Sequence, residues 1–292
     1  MRNTGFSEIT EERAMYHGDD PWFIEIAITG KCNFSCSYCN RFFCVCDKEA
    51  IEKYFSTFNR CRHIQITGGE PTLHADFIGI MRLCKAKSDK VGLSTNGSAD
   101  IDLYKQCGAD MFSISIDDYD LDILSGRGYK NPSKIISNIK ELSKNTYVNI
   151  GLVIDSKNKD RIEDIIDFIL KLGVDDIKLS TSTKDEAIPV FTKSYPAYPI
   201  LNYRVENFKN GHQMRGWPGK KCKIAENDVT IVGNHHYPCL VYFREGGKAI
   251  GAIIDDARKQ RNAWVILHNP KDDTICKKYC MDFKCEFNGG TY

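Results

Sequence analysis

Short apolar segments rich in β-branched residues alternate with amphipathic segments between residues 23 and 182. The apolar segments are nearly continuous, which is typical of strands buried on both faces of a parallel sheet. In the segments between them, apolar residues recur at helical spacing. The predicted strands are Phe23–Thr29, His63–Thr67, Lys90–Thr95, Asp110–Ile116, Tyr147–Ile154 and Asp176–Ser180. The predicted helices are Lys48–Arg60, Ala75–Lys87, Ile101–Cys107, Ser133–Leu142 and Asp160–Leu172.

The alternation of strands and helices indicates six successive βαβ units. Right-handed crossovers curl such a sheet toward a barrel, and six units leave the barrel incomplete. The expected fold class is therefore α/β, an incomplete (β/α)6 TIM-like barrel followed by a small C-terminal domain. In folds of this kind the chemistry lies at the carboxyl ends of the strands.

The composition excludes several classes of protein. Hydrophobic residues make up 42% and charged residues 27% of the 292 residues, as in ordinary folded domains. The chain has 40 Lys and Arg against 39 Asp and Glu, a balance that argues against nucleic acid as the partner. No apolar stretch is long enough to span a membrane, and the N-terminal segment lacks the apolar region of a signal peptide. We therefore expect a cytoplasmic location.

Cysteine is the unusual feature of the composition. There are 13 cysteines, of which five lie between Cys32 and Cys46 and five between Cys222 and Cys285. In a reducing compartment so many thiols are typical of metal ligands rather than of disulfides. The two groups predict two metal centres.

Candidate functional groups follow four neighbouring predicted strands. The first strand leads into three cysteines with spacings of three and two residues, and the second leads into Gly-Gly-Glu-Pro. The third leads into Ser-Thr-Asn-Gly, and the fourth carries polar residues two apart, which share one face of the strand. These groups are Cys32, Cys36, Cys39, Gly68, Gly69, Glu70, Asn96, Ser113, Ser115 and Asp117.

Three thiolates on one short loop suit a catalytic rather than a purely structural metal centre. A [4Fe–4S] cluster that carries electrons is usually held by four thiolates, so three would leave one iron open. An open iron can chelate an amino acid through its amine and its carboxylate. If that amino acid carries a sulfonium, one electron from the cluster can break its C–S bond and release a carbon radical.

The four motifs together resemble the radical S-adenosylmethionine (SAM) superfamily over residues 23–182. The resemblance implies that Cys32, Cys36 and Cys39 ligate a [4Fe–4S] cluster and that SAM occupies the open iron. It further implies a SAM site in which Gly68, Gly69 and Glu70 meet the methionine amine, Asn96, Ser115 and Asp117 meet the methionine carboxylate or the ribose, and Tyr38 lies by the adenine.

The regular alternation stops after Ser180, and a proline-rich linker is expected there. Beyond it, Cys222 precedes a predicted hairpin of Asp228–Val232 and His236–Arg244, with Gly233-Asn234 at the turn and Cys239 on the return strand. A helix near Asp255–Ala263 follows, and then Cys276, Cys280 and Cys285.

This order of cysteines, hairpin and helix resembles the twitch domain, a shortened SPASM domain that holds one auxiliary [4Fe–4S] cluster. The resemblance implies ligation by Cys222, Cys239 and two of the last three cysteines, with Cys276 and Cys280 as the first choice over Cys285. The expected domains are a radical SAM core in residues 1–200 and an auxiliary cluster domain in residues 201–292.

Zinc is the alternative occupant of both cysteine groups. Cys36 and Cys39 have the spacing of half a zinc knuckle, but no matching pair follows at finger spacing. A structural zinc site on the four C-terminal thiols is the second alternative, since spacing does not separate zinc from iron–sulfur. His235 and His236 are expected to be solvated turn residues. The remaining cysteines, Cys44, Cys46, Cys61, Cys84 and Cys107, are expected to be buried thiols.

The resemblance implies an enzyme that cleaves SAM reductively to a 5′-deoxyadenosyl radical and abstracts a hydrogen from its substrate. We expect oxidation or rearrangement of a small molecule, with the auxiliary cluster as electron acceptor and a flavodoxin or ferredoxin as electron donor. The short segment before the first strand leaves no room for a leader-binding domain, which favours a small substrate over a ribosomally synthesised peptide. Modification of such a peptide remains the alternative, and a non-enzymatic iron–sulfur or zinc protein is the alternative of another class.

Overall fold

A computed structural model describes residues 20–40, 42–126, 128–182, 184, 187–210, 222, 225–226, 228–254 and 256–280. This part of the chain divides into two compact units, each assembled from separate segments. The first unit contains Cys32–Cys39 and the chain from Leu93 to residue 210. The second contains the chain up to Lys31, residues Asn40–Gly92 and the described residues from Cys222 onward.

The described strands are β1 (Phe23–Ala27), β2 (Cys61–Thr67), β3 (Ser88–Thr95), β4 (Met111–Ser115), β5 (Tyr147–Ile154), β6 (Asp176–Thr181), β7 (Asp228–Val232), β8 (His235–Tyr237) and β9 (Gly251–Ala252). The described α-helices are α1 (Lys48–Phe55), α2 (Phe77–Lys87), α3 (Ile101–Gln106), α4 (Leu121–Gly126), α5 (Pro132–Leu142), α6 (Ile162–Leu170), α7 (Pro199–Lys209), α8 (Leu240–Arg244), α9 (Ala257–Leu267) and α10 (Thr274–Tyr279).

The first unit is built on parallel strands. Strand β5 pairs with β4 on one side and β6 on the other, and the register aligns Ile114, Ile150 and Ile177 across the three strands. All three side chains are fully buried, as expected for a parallel sheet covered on both faces. Helix α5 packs against β5 and buries Ile135 and Ile139.

The second unit combines parallel and antiparallel pairing. Strand β1 pairs in parallel with both β2 and β7, which aligns the fully buried side chains of Ile66, Ile26 and Ile231. Strands β7, β8 and β9 then form an antiparallel extension. The first strand of the predicted C-terminal hairpin is therefore also a member of the parallel sheet.

The prediction of an α/β fold with parallel strands is confirmed. All six strands predicted before residue 182 are present, and Tyr147–Ile154 has the predicted bounds. Strand β3 passes from the second unit, which includes Gly92, into the first, which begins again at Leu93. Among the described strands, no pairing closes either unit into a barrel.

The predicted return strand His236–Arg244 is wrong. Strand β8 ends at Tyr237 because Pro238 has no N–H to continue the ladder. Cys239 is instead the N-cap of α8, where its Sγ accepts a hydrogen bond from the Tyr242 N–H at 3.3 Å.

The stretch expected to be a linker contains helix α7. Its first turn is capped from a distance, since the Asp176 carboxylate accepts hydrogen bonds from the N–H groups of Ile200 and Leu201 at 2.9 and 3.1 Å. Asp176 lies at the start of β6 and is fully buried. Local sequence does not reveal such a cap, because the capping residue precedes the helix by more than twenty positions. No helix in the described parts of the chain is long and apolar enough to cross a membrane.

His236 on β8 is buried, which corrects the expectation that it is a solvated turn residue. Its exposed fraction is 1%, and its Nε2 lies 3.3 Å from Oε1 of Gln260. Burial lowers the pKa of the His236 imidazole to about 4. Neighbouring His235 is exposed, as predicted.

We predict that His236 makes the stability of the chain depend on pH. The pKa of His236 is lower in the folded chain than in the unfolded chain. Between about pH 6.5 and 4 the unfolded chain therefore binds the proton preferentially, and the stability that neutral His236 contributes above pH 6.5 is lost over this range. Between pH 7.5 and 5.5 the loss is on the order of 1 kcal/mol. Urea unfolding of His236→Gln should show a pH dependence weaker by that amount, whereas the exposed control His235→Gln should match wild type. Equal pH dependence of wild type and His236→Gln would contradict this assignment.

Candidate metal centres

The three cysteines after β1 lie on one short loop of the first unit. The Cys39 N–H donates a hydrogen bond to the Cys36 carbonyl at 3.1 Å, which closes a turn, and the Phe34 N–H donates to Cys32 Sγ at 3.4 Å. Cys32 and Cys39 are exposed and Cys36 is half-buried. Burial, together with the nearby charges of Asp117, Cys39 and Cys32, raises the pKa of Cys36 to about 11. The three thiols thus share one short loop, and their ligation of one metal centre stays a prediction.

Two glycines predicted to meet SAM pack against the chain just before this loop. The Gly69 N–H donates to the Thr29 carbonyl and the Glu70 N–H to the Lys31 carbonyl, each at 2.7 Å. A Cβ added at Gly69 would lie 2.3 Å from the Lys31 oxygen, and one at Gly68 would lie 2.4 Å from the Thr29 oxygen. Glycine is therefore required here by the close approach of two backbones. Contact of either glycine with SAM stays a prediction.

Glu70 is fully buried and caps a short 3-10 turn over Pro71–Leu73. Its Oε1 accepts hydrogen bonds from the Thr72 N–H at 3.2 Å and from the Thr72 hydroxyl at 2.7 Å. These bonds fix the orientation of the carboxylate at the end of β2. Its predicted bond to the SAM amine stays a prediction.

Asp117 ties the cysteine loop to the strands of the first unit. Its Oδ2 accepts hydrogen bonds from the hydroxyls of Tyr38 at 2.5 Å and Tyr129 at 2.8 Å, and its Oδ1 accepts one from the Val153 N–H at 2.9 Å. Burial raises the pKa of both tyrosines, so both hydroxyls keep their protons and act as donors. Tyr38 lies between Cys36 and Cys39, so this fully buried carboxylate positions the loop. Contacts of Asp117 and Tyr38 with SAM stay predictions.

Asn96 is also beside the cysteine loop. Its Nδ2 donates a hydrogen bond to Asn33 Oδ1 at 2.8 Å and lies 3.9 Å from Cys32 Sγ. Its Oδ1 accepts from the Ser98 N–H at 3.0 Å, which orders the turn after β3. Ser115 is exposed at the end of β4. Both residues thus lie at the carboxyl ends of their strands, as predicted for groups that contact a ligand.

Sequence reasoning missed Lys184. Its Nζ donates hydrogen bonds to the carbonyls of Ser37 and Cys39, each at 3.1 Å, and so places a cation against the cysteine loop. Its position shortly after β6, at the carboxyl end of a strand, is the only sequence signal that could have indicated it.

The second group of cysteines lies in the second unit. Helix α8, capped by Cys239, packs against helix α10, which carries Cys276. Burial raises the pKa of Cys276, and the charges of Asp273, Cys222 and Cys239 act in the same direction. Ligation by Cys222, Cys239, Cys276 and Cys280 stays a prediction. Cys280 ends α10, where its N–H donates to the Cys276 carbonyl at 3.3 Å, and Cys285 lies outside the described residues.

A histidine missed by sequence reasoning lies beside Cys276. His268 Nε2 is 3.6 Å from Cys276 Sγ, and one ligand atom from each of His268, Asp273 and Cys276 lies within 4.8 Å of the others. The sequence offers no signal for it, because His268 belongs to no motif and follows a helix whose end was placed at Ala263.

Among the described residues, the remaining cysteines do not lie in a group of three or more possible metal ligands. Cys46, Cys61, Cys84 and Cys107 are buried, as predicted, and Cys44 is half-buried. The Cys46 thiol donates to the carbonyls of Ala27 and Gly233, at 3.2 and 3.1 Å. These thiols act as packing groups.

Comparison with known proteins agrees with this geometry. The family model of the Radical SAM superfamily matches residues 26–169. The GTP 3′,8-cyclase of Actinobacillus pleuropneumoniae is 32% identical over 114 residues, which cover 34% of this chain and 33% of that protein. The probable GTP 3′,8-cyclase of Sulfurisphaera tokodaii is 28% identical over 170 residues, which cover 53% of this chain and 54% of that protein. The chain thus spans between a third and about half of the length of these relatives.

Solved structures share the fold at low identity. Streptococcus suis SuiB bound to S-adenosylmethionine matches with a TM-score of 0.60 at 15% identity, over 85% of this chain and 66% of SuiB. The structure of anSMEcpe with bound AdoMet and Kp18Cys peptide matches with a TM-score of 0.60 at 17% identity, over 89% of each chain.

The described residues combine parallel α/β units with a cysteine loop after the first strand, and the Radical SAM family to which residues 26–169 match implies a [4Fe–4S] cluster and SAM. This match identifies residues 26–169 as a radical SAM domain, and the relatives indicate an enzyme.

We predict that Gly69→Ala disrupts the first metal centre. The added methyl would overlap backbone oxygens of Lys31 and Gly30, at a cost of about 1–3 kcal/mol, and would displace the chain just before Cys32. Iron content after anaerobic reconstitution should fall toward half. The control Gly126→Ala adds a Cβ with no neighbour within 4 Å and should retain full iron. Wild-type iron content in Gly69→Ala would show that this close approach does not position the loop.

Proposed function

We propose that this enzyme binds SAM at the first cysteine loop, cleaves it reductively and abstracts a hydrogen from a small-molecule substrate. The observation that carries the proposal is the position of Cys32, Cys36 and Cys39 on one short loop after β1, with Asn96 beside Cys32. Cleavage produces a 5′-deoxyadenosyl radical, and we propose an oxidation or rearrangement of the substrate.

The residues present suit a [4Fe–4S] cluster. Three soft thiolates would hold three irons and leave the fourth open to the amine and carboxylate of SAM. When bound, the cluster supplies the electron for breaking the C–S bond. The protein positions the thiolates through the Asp117–Tyr38 hydrogen bond and the Lys31–Glu70 backbone contact.

We assign the SAM contacts to residues at the ends of four strands. The buried Glu70 carboxylate suits the cationic amine, and a charge-assisted bond of this type contributes about 1.5–3 kcal/mol. Asn96 and Ser115 offer polar groups for the methionine carboxylate or the ribose, and Tyr38 an aromatic ring for the adenine. We assign Gly68 and Gly69 to the methionine amine beside Glu70.

A small-molecule substrate is supported by the sequence relatives, whose name describes a cyclisation of GTP. A ribosomally synthesised peptide is the second candidate. It is favoured by the fold shared with SuiB, which has been solved with the precursor peptide SuiA, and with anSMEcpe, solved with a Kp18Cys peptide.

We propose a second [4Fe–4S] cluster, an auxiliary cluster held by Cys222, Cys239, Cys276 and Cys280 in a domain of residues 201–292. The packing of helix α8, capped by Cys239, against helix α10, which carries Cys276, supports this ligand set. The auxiliary cluster would accept the electron left on the substrate radical. We further propose a cytoplasmic location and reduction by a flavodoxin or ferredoxin.

The experiment that tests this proposal is anaerobic reconstitution followed by incubation with SAM and dithionite. Wild type should bind about eight irons and form 5′-deoxyadenosine. The Cys32→Ala/Cys36→Ala/Cys39→Ala variant should bind about four irons and form none, because it has lost the cluster that binds SAM.

Cys44→Ala serves as the matched control, since Cys44 follows Cys39 by five positions in the sequence but is not a proposed ligand. It should retain full iron and activity. Zinc in place of iron in the wild-type protein, or 5′-deoxyadenosine formed by the triple variant, would contradict the proposal.

A further inference from the structure

His268 is placed to interact with the second metal centre without being one of its proposed thiolates. It follows the last residue of α9, and its Nε2 lies 3.6 Å from Sγ of Cys276 on α10. This separation is within the reach of a hydrogen bond to sulfur.

The imidazole of His268 is held in one orientation. Its ring stacks on the Trp264 indole, with centroids 3.9 Å apart and planes 17° from parallel, and the Tyr242 ring meets it edge-on. The backbone N–H of His268 donates a hydrogen bond to the Trp264 carbonyl at 2.8 Å. Packing and the backbone thus aim Nε2 at the sulfur.

Cys276 is held in place from the other side. The Asp273 Oδ1 caps α10 by accepting hydrogen bonds from the N–H groups of Ile275 and Cys276, each at 2.8 Å. The Tyr242 hydroxyl donates to Asp273 Oδ2 at 3.0 Å, so the same tyrosine contacts both His268 and the cap. The distance between Nε2 and Sγ is therefore fixed by the contacts of His268 with Trp264 and of Cys276 with Asp273, which Tyr242 joins.

The direction of the hydrogen bond follows from the state of the sulfur. A thiolate that ligates iron carries no proton, so the imidazole must donate through Nε2–H. Hydrogen bonds to the sulfurs of iron–sulfur clusters are among the factors that set their reduction potentials. A donor stabilises negative charge on the thiolate and therefore favours the reduced cluster.

We propose that His268 donates a hydrogen bond to the Cys276 thiolate and thereby raises the reduction potential of the auxiliary cluster. This inference rests on the proposed auxiliary cluster. His268 is a positioning residue, because it acts on the cluster through Cys276 rather than as a ligand.

The test is an EPR-monitored redox titration in the Cys32→Ala/Cys36→Ala/Cys39→Ala background, where only the auxiliary cluster contributes. His268→Phe keeps a ring that can stack on Trp264 but removes the donor, so the midpoint potential should move to a more negative value with about four irons retained. His268→Gln keeps an N–H donor at a similar position and should restore most of the potential. The control His235→Phe changes an exposed histidine of the same unit and should leave the potential unchanged.

Three results would overturn the inference. An unchanged potential in His268→Phe would show that the hydrogen bond has no effect on the cluster. Loss of iron in His268→Phe, with strong nitrogen hyperfine coupling in the parent, would make His268 a ligand. Absence of iron in the parent triple variant would remove the proposed auxiliary cluster itself, an outcome distinct from the other two.

Discussion

The first metal centre depends on one constraint, that three thiols within eight residues must face a common point. The loop alone cannot meet this constraint. Among the described residues, the one backbone hydrogen bond within the loop joins the Cys39 N–H to the Cys36 carbonyl. The restraint comes from neighbouring elements. The backbone before Cys32 is held by the Gly69–Glu70 turn, and the segment between Cys36 and Cys39 is held through Tyr38 by the buried Asp117. Burial and electrostatics then leave the Cys36 thiol protonated at neutral pH until a metal binds.

This constraint explains why Gly68, Gly69 and Glu70, which the family resemblance implies as SAM contacts, also stabilise the local fold. The glycines of the Gly-Gly-Glu motif allow two backbones to touch, and Glu70 caps the turn that follows. A residue fixed in this way presents its remaining polar surface in a defined orientation, which is what a preorganised binding site requires. Substitution at these positions should therefore affect cluster assembly as well as SAM binding.

The sequence predicted the features that depend on local pattern. Buried strands such as Tyr147–Ile154 are encoded in continuous apolar segments, and the spacing of Cys32, Cys36 and Cys39 predicts a metal-binding loop. The features that were missed depend on partners distant in the chain. Helix α7 is capped by Asp176, Lys184 reaches the cysteine loop, and His268 meets Cys276 across two helices. The predicted return strand extends too far. Apolar residues follow Pro238, but Pro238 has no N–H to continue the ladder of hydrogen bonds.

The central claim, that the loop of three cysteines leaves one iron open to SAM, is tested most directly by pulsed electron–nuclear double resonance. The sample is the reduced protein with SAM labelled with ¹⁵N at its amine and ¹⁷O at its carboxylate. Cys222→Ala/Cys239→Ala is the suitable background, because it removes two ligands of the proposed auxiliary cluster and so any signal from it. Strong hyperfine coupling of both labels to the cluster is the predicted result. A reduced cluster that shows neither coupling in the presence of saturating SAM would contradict the account.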